Sequence, residues 1–362
     1  MDAANYALAS YLARTGRNVH LVAFRVATEL AEYKNVSVHI VPKPANAYLL
    51  GGPLLACAGL FHSMRLGTRV LANGGNCPVR GVNWVHYLHA AFEATTASSG
   101  LLRMKHHALR TINRATERRA IHAAKIVIAN SMLTRNHVID RLGVSPERVR
   151  VVYYGVDSIR FEPPTDGERD SARRALGWRN NRPKVAFVGA LGDRRKGFDV
   201  LFEAWIRLCG DPHWDADLVV VGTGEELPHW KARTAQAGLE TRIQFLGFRG
   251  DVPQILKACD ALVAPTRYEA YGLGVHEAIC CGLPAIVSAT SGVAERYPAS
   301  LRWLLLQDPN DAGELVSKLR EWEKKRELVA EDSKAFATSL RARTWDDMAR
   351  DIDAIFDEAD SQ

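Results

Sequence analysis

The stretch that decides the fold is residues 265–295, PTRYEAYGLGVHEAICCGLPAIVSATSGVAE. Just before it, Ala261–Ala264 is a short apolar run closed by a proline, which predicts a buried strand. A loop follows, carrying Glu269, Tyr271, Gly272 and Gly274. The pattern then predicts a helix running to Cys281, where Gly282 and Pro284 stop it in Gly-then-Pro order. Ala285–Ser288 predicts a second strand. Strand, Gly-rich loop and helix start form a place for a phosphate, because free backbone N–H groups and the positive end of the helix dipole converge there. Glu269 and Glu277 bracket it, eight residues apart. Carboxylates repel phosphate, so their work here is to accept hydrogen bonds from hydroxyl groups on either side. A nucleotide-sugar has that layout: ribose, diphosphate, sugar.

Outward from this stretch, strands and helices alternate in both directions. Toward the N-terminus, residues 184–190, 217–222 and 243–247 predict strands, with helices at 197–209, 226–237 and 252–258. Residues 1–155 carry a similar series, with strands near 19–24, 37–41, 69–72, 84–89, 125–130 and 148–153. Such alternation predicts α/β domains with doubly wound parallel sheets. The first domain spans 1–155 and the second 184–344. Between them, 156–183 is rich in Pro, Asp and Arg and predicts a connection with one short helix. Helices near 311–324, 326–341 and 345–358 follow the last strand, and no internal repeat is visible.

The chain of 362 residues is long enough for two cores, and 47% hydrophobic with 24% charged residues is an ordinary globular composition. No apolar run approaches ~18 residues, so a membrane-spanning helix is excluded. The N-terminal sequence lacks the basic-then-apolar order of a signal peptide. Six scattered cysteines without a C-x-x-C pair predict reduced thiols and a cytoplasmic protein. Charge is uneven: residues 1–155 hold 19 Lys/Arg against 7 Asp/Glu, and the remainder 28 against 34. A basic first domain suggests an anionic partner. Within it, 101–125 carries seven Lys/Arg against one Glu, with a thin apolar stripe of Leu102, Leu109 and Ile112. That helix reads either as a solvated face or as a patch for anionic lipid on the cytosolic side. Nucleic acid fits poorly, since no recognised module or interleaved aromatics accompany the charge.

The spacing Glu269-x7-Glu277, followed by Ala278-x-x-Cys281-Gly-Leu-Pro284 and a small-residue loop ending in Glu295, resembles the signature of glycosyltransferase family 4. Members are retaining enzymes of the GT-B fold, two Rossmann-like domains with a cleft between them. The resemblance implies that Glu269 binds a hydroxyl of the transferred sugar and Glu277 the ribose hydroxyls. The backbone amides of Tyr271, Gly272 and Leu273 would face the diphosphate and sugar. A second motif, VGALGDRRKG at 188–197, would bring Lys196 and an arginine, Arg194 or Arg195, to the leaving nucleoside diphosphate. The family has Arg directly after the strand's Gly, where this chain has Ala190. His89, in WVHYLHAAF, would reach the donor sugar from the first domain. His86, three residues earlier and on the opposite face of an extended strand, reads as structural. Gly222-Thr-Gly224 is half of a dinucleotide fingerprint and equally a tight turn near the nucleotide. The loop Gly247-Phe248-Arg249 would approach the base through backbone groups.

Two D-x-D triplets, Asp215-Ala-Asp217 and Asp351-Ile-Asp353, lie outside any phosphate loop, so no metal is assigned. The nucleoside diphosphate sugar serves as co-substrate and no further cofactor is implied. In the family the last helix crosses back to the first domain. Family members also begin with a strand and a Gly-rich loop before a helix like the one ending at Arg14. Here Met1 falls almost at the helix start, which implies truncation, a misassigned start or loss of that strand. The departures motivate a second reading, a degenerate protein that binds the nucleotide-sugar without turning it over. A nicotinamide-dependent Rossmann enzyme is a further rival.

Overall fold

The computed structural model describes residues 2–92, 101–192 and 194–361. Asp193 of the 188–197 motif lies outside the described residues, as do the side chains of 101–106, Leu102 among them, and of Asp166. The chain divides into two units, one formed by residues up to 155 together with those from 343 onward, the other by 156–342.

The N-terminal unit opens with α1 (Asp2–Arg14), β1 (Val19–Ala23), the short α2 (Thr28–Ala31) and β2 (Val36–Ile40). After these come α3 (Tyr48–Leu66), β3 (Leu71–Asn73), β4 (Val82–Val85), α4 (Leu101–Ala123), β5 (Ile126–Ala129), α5 (Met132–Leu142) and β6 (Val149–Val151). All strand pairs are parallel, but they form two sheets rather than one: a β1–β2 pair and a four-stranded sheet in the order β3-β4-β5-β6. The consequence is visible in burial. β4 and β5 are buried at every position, whereas the equally apolar β1 is only half-buried along its length.

α3 corrects the expectation about apolar length. This 19-residue helix, although it contains glycines, Pro53, His62 and Ser63, is long and apolar enough to cross a membrane by length and composition.

The second unit begins with α6 (Asp166–Ala175) and β7 (Lys184–Val188), then α7 (Phe198–Cys209), β8 (Asp217–Val221), α8 (Leu227–Gln236) and β9 (Ile243–Gly247). It continues through α9 (Val252–Ala258), β10 (Ala261–Ala264), α10 (Leu273–Cys280), β11 (Ala285–Ser288), β12 (Leu305–Leu306), α11 (Ala312–Lys324) and α12 (Arg326–Arg341). Its six strands are parallel in the order β12-β11-β10-β7-β8-β9. Near-continuous apolar strands such as DLVVV, ALVA and AIVS suit a sheet covered on both faces. The large core includes Trp205, Phe187, Phe202 and Trp322, all almost fully buried.

Residues 156–183, expected as a connection, are packed into this second unit. Phe161 joins its core, and Arg169 and Arg173 of α6 both pair with Asp260 at 3.0 and 2.6 Å.

The last helix, α13 (Trp345–Asp360), packs on α1 and belongs to the N-terminal unit. It answers part of that unit's positive charge. Arg14 pairs with Asp346 at 2.6 Å, Arg17 with Asp353 at 3.1 Å, Arg69 with Asp357 and Asp360 at 2.7 Å each, and Arg150 with Glu358. The surplus counted over residues 1–155 therefore overstates what is available to an outside partner.

Candidate functional site

β7 and β10 are neighbours at the centre of the six-stranded sheet, and the order runs outward from them in opposite directions. Such a switch point opens a crevice at the carboxyl ends of the two strands. The loop leaving β7 carries Arg195 and Lys196, and the loop leaving β10 carries Glu269. Residues 73 apart in sequence thus meet in space.

A glycine lets them approach. Gly197 has φ +70°, and a Cβ there would lie 1.8 Å from the carbonyl oxygen of Pro265. The basic turn is then tied to the other loop. Arg267 donates its backbone N–H to the carbonyl of Arg195 at 2.8 Å, and its guanidinium grips Asp199 through two bonds of 2.8 Å. It also holds the carbonyl of Arg194.

Glu269 is the meeting point. Its Oε2 accepts from Lys196 Nζ and from Arg195 Nη1 at 3.3 Å, and Arg195 Nη1 also donates to the Tyr268 carbonyl at 3.1 Å. All three side chains are about four-fifths buried, so water screens the pairing less than it would on an open surface. The backbone of the Glu269 loop is stapled to residues 291–293: Gly292 N–H donates to the Glu269 carbonyl at 3.1 Å and Val293 N–H to Tyr271 at 2.6 Å.

Gly272, at φ +103°, caps α10, and the first-turn amides of Leu273 and Gly274 have no acceptor within the helix. A cavity of about 200 Å³ opens here, lined by Lys196, Glu269, Thr266, Gly272, Leu273 and Gly274 over a floor from β7 and β10. Thr266 is a residue that sequence reasoning missed. It is only 3% exposed, and its Oγ1 has no hydrogen-bond partner among the described residues. A buried hydroxyl left so costs roughly 1–3 kcal/mol, which a ligand's hydrogen bond would recover. Its position just after the proline that closes β10 was the available signal, but nothing in the spacing set it apart from neighbouring loop residues.

The remaining expected donor-binding residues are not among those that line this cavity. Glu277 lies further along α10 and does not line it. Burial pushes its carboxyl up to about 7, with Arg160 pulling in the opposite direction. Tyr271 can offer only backbone, since its side chain is buried and its hydroxyl lies 2.5 Å from Nδ1 of His276. Burial pushes His276 down to about 3, so the ring is neutral.

Gly222 and Gly224 form the tight turn, for a Cβ at either would lie 1.9 or 2.2 Å from the carbonyl oxygen of Gly189 or Leu191. Gly222 N–H donates to the Gly247 carbonyl at 2.8 Å, which stitches the ends of β7, β8 and β9 together. Next to Gly247, the ring of Phe248 is 83% exposed, whereas Arg249 is tied to Asp251. Ala190 is exposed and supplies no charge.

The two candidate histidines of the N-terminal unit separate by environment rather than by strand face. β4 ends at Val85, so the alternation expected through residue 89 does not apply, and His89 instead opens a 3-10 turn, His89–Ala91. His86 is an internal group: its Nε2 lies 3.1 Å from Asn73 Oδ1, its Nδ1 bonds Tyr154, and burial pushes it down to about 3. The side chain of His89 is 43% exposed, with Nδ1 3.0 Å from Oε1 of Glu117.

Glu117 is 1% exposed and accepts in addition the backbone N–H groups of His89 at 2.9 Å and Ala90 at 3.2 Å. A buried carboxylate on Nδ1 fixes the ring and leaves Nε2 as the nitrogen able to accept a proton or bond a ligand. This is the one acid of the basic helix α4, and Arg114 from the same helix donates to the His89 carbonyl at 3.2 Å. The charged helix thus builds the His89 turn, a use its composition did not suggest.

Comparison with known proteins agrees with this architecture. Residues 4–160 match the family model "Glycosyltransferase Family 4" and residues 168–338 match "Glycosyl transferases group 1". A D-inositol 3-phosphate glycosyltransferase of Salinispora tropica is 30% identical over 259 residues, covering 67% of this chain and 53% of that protein. The chain spans about half the length of the first curated relatives it matches. Among solved structures, WaaG, a glycosyltransferase involved in lipopolysaccharide biosynthesis, superposes with a TM-score of 0.77 at 20% identity, covering 97% of this chain and 95% of that one. Anabaena Alr3699/HepE, solved with UDP and glucose, gives 0.74 at 20% identity, covering 99% and 95%. With a family 4 domain followed by a group 1 domain, and two Rossmann-like units of GT-B type, the chain belongs to the glycosyltransferases.

Proposed function

We propose that this chain moves a sugar from a nucleoside diphosphate sugar to an acceptor hydroxyl, with retention of configuration at the anomeric carbon. The observation that carries the reading is the cavity at the start of α10, where unpaired helix amides, Lys196 and Glu269 converge. The amides of Gly272, Leu273 and Gly274 take the diphosphate, in the manner of anions at helix N-termini. Lys196 and Arg195 stabilise negative charge on the departing diphosphate, which in turn accepts the acceptor's proton during same-face attack. Glu269 bonds a hydroxyl of the transferred sugar, Glu277 the ribose hydroxyls, and the Gly247–Phe248 loop receives the base. His89 is assigned to the transferred sugar by resemblance, and its anchoring by Glu117 supports a positioned ring. Fixed charge and alignment then supply most of the acceleration. No metal is required in this scheme, because lysine and helix end do its electrostatic work. Six free cysteines support a cytoplasmic location.

Lys196 is paired with Glu269. A bound diphosphate competes for the lysine and releases the carboxylate toward the sugar, so donor binding and site assembly are one event. The test is a thermal-shift panel of UDP-, GDP- and ADP-sugars, with NAD as the contrasting ligand. UDP leads the panel because a structural neighbour was solved with it. Stabilisation by one nucleotide series that Lys196→Ala weakens supports the reading, and a response to NAD alone refutes it. Ala190, where the family carries arginine, motivates a second reading of binding without turnover. Donor hydrolysis or transfer measured on the same preparation separates the two.

A further inference from the structure

A second and larger cavity, of about 530 Å³, lies in the same unit beside the basic turn, walled by α7, α8 and the Arg267 loop. Four arginines line it, Arg194, Arg207, Arg233 and Arg267, against two carboxylates, Asp199 and Glu203.

Their partners sort these charges. Arg267 is committed, since its guanidinium grips Asp199 and its Nε donates to Asn310 Oδ1 at 2.7 Å. Arg207 pairs with Glu203 one turn away on α7, but both side chains are more than half exposed, so the pair is weakly held. Arg194 and Arg233 have no carboxylate partner among the described residues. Arg233 is nonetheless held in place. Its guanidinium carbon lies 5.0 Å from the centre of the Phe202 ring and 5.6 Å from that of Trp230, and both rings are buried. Stacking uses the face of a guanidinium and leaves its edge N–H groups for an anion.

Arg194 is fixed through its backbone. It sits at φ +35°, the left-handed region that residues other than glycine avoid. Gly197 N–H closes the turn by donating to the Arg194 carbonyl at 3.0 Å, and Arg267 holds the same oxygen. Lys196 belongs to this turn.

We propose that the cavity binds a small phosphomonoester, its phosphate on Arg194 and Arg233, and that the bound ester steadies the turn that carries Lys196. Two uncompensated guanidinium groups match a phosphate dianion. A longer polyanion would bring surplus negative charge up to Asp199 and Glu203. The volume suits a small metabolite, and Glu203, His229 and Asn310 offer polar partners for its hydroxyl groups. Bonds to the Arg194 side chain favour a backbone arrangement that is otherwise strained, so they hold Lys196 beside Glu269. Cavity and donor site are then coupled, and such coupling is reciprocal. The coupling rests on the donor-site reading, whereas the second site does not.

The experiment is titration calorimetry of the full chain with ribose 5-phosphate, with ribose as the uncharged control. The ester is expected to bind and the sugar not. Arg194→Gly and Arg233→Ala should each weaken the ester at least tenfold, the loss of one charge-assisted contact. Glycine suits the left-handed backbone, so Arg194→Gly loses the guanidinium without disturbing the turn, and melting curves without ligand check both variants. Lys196→Ala should leave ester binding unchanged, which separates this cavity from the donor site. A saturating nucleoside diphosphate should tighten the ester about fivefold or more. No binding of the ester, equal affinity in both arginine variants, or displacement by the nucleoside diphosphate overturns the proposal. An affinity that a bound nucleoside diphosphate leaves unchanged overturns the coupling. Ester binding that needs Arg194 and Arg233, in a chain that answers no nucleotide, supports the second site and sinks the donor reading alone.

Discussion

Replacing Glu277 by glutamine should move stability and donor binding in opposite directions. The carboxyl sits at about 7 in the folded chain against an ordinary 4.5, because burial penalises its charged form. The sign follows from linkage. A carboxyl whose folded value is raised holds its proton more tightly when folded, so the unfolded chain loses that proton first as pH rises. Stability therefore falls between about 4.5 and 7, and stays lower above that. A difference of about 2.5 units corresponds to at most ~3 kcal/mol at 1.36 kcal/mol per unit. Glu277→Gln removes the penalty and keeps the shape. It should match the wild type near pH 4.5 and exceed it above pH 7, by about 2–4 °C per kcal/mol for a unit of this size. On the proposed assignment of Glu277 to the ribose, the same substitution removes a charged acceptor whose hydrogen bond is worth ~1.5–3 kcal/mol, so the nucleotide-induced shift should shrink or vanish. Melting curves with and without the responding nucleoside diphosphate, taken from pH 4.5 to 8, read both effects. A glutamine variant no more stable than wild type at pH 8, or one with an undiminished nucleotide shift, refutes the reasoning.

Lys196→Ala should reduce transfer by about 10²–10³-fold while changing melting little, because Arg195 still pairs with Glu269; steady-state rates at saturating donor check this. Gly197→Ala should be destabilising and nearly inactive, since the added methyl meets the Pro265 carbonyl at 1.8 Å and the backbone is left-handed; differential scanning calorimetry with a donor titration reads both losses. Thr266→Val should leave stability equal or improved, because it removes an unpaired buried hydroxyl, yet weaken nucleotide-sugar binding by roughly 1 kcal/mol, measurable by titration calorimetry. Glu117→Gln should lower kcat with donor affinity nearly unchanged, as the His89 ring loses its buried anchor; an unchanged melting temperature distinguishes this from simple unfolding.

The sequence alone determined most of the second unit. Strands covered on both faces must be apolar throughout, so runs such as ALVA and DLVVV identify themselves, and a Gly-rich loop before a helix announces its free amides locally. The E-x7-E spacing was legible for the same reason, because both carboxylates belong to one loop and the helix after it. Only the tertiary structure brought Lys196 to Glu269, a meeting that depends on β7 and β10 being neighbours and on Gly197 giving way to Pro265. Thr266 and Glu117 stayed hidden because burial, not residue type, gives each its significance. The basic count over residues 1–155 overstated the free charge because α13, far along the chain, returns its acids to that unit. α3 is the plainest case: its apolar composition could be read directly, but which side of it faces outward is set by what packs against Gly51 and Gly59. Periodicity and composition are properties of neighbours in sequence, whereas charge compensation, exposure and convergence belong to neighbours in space.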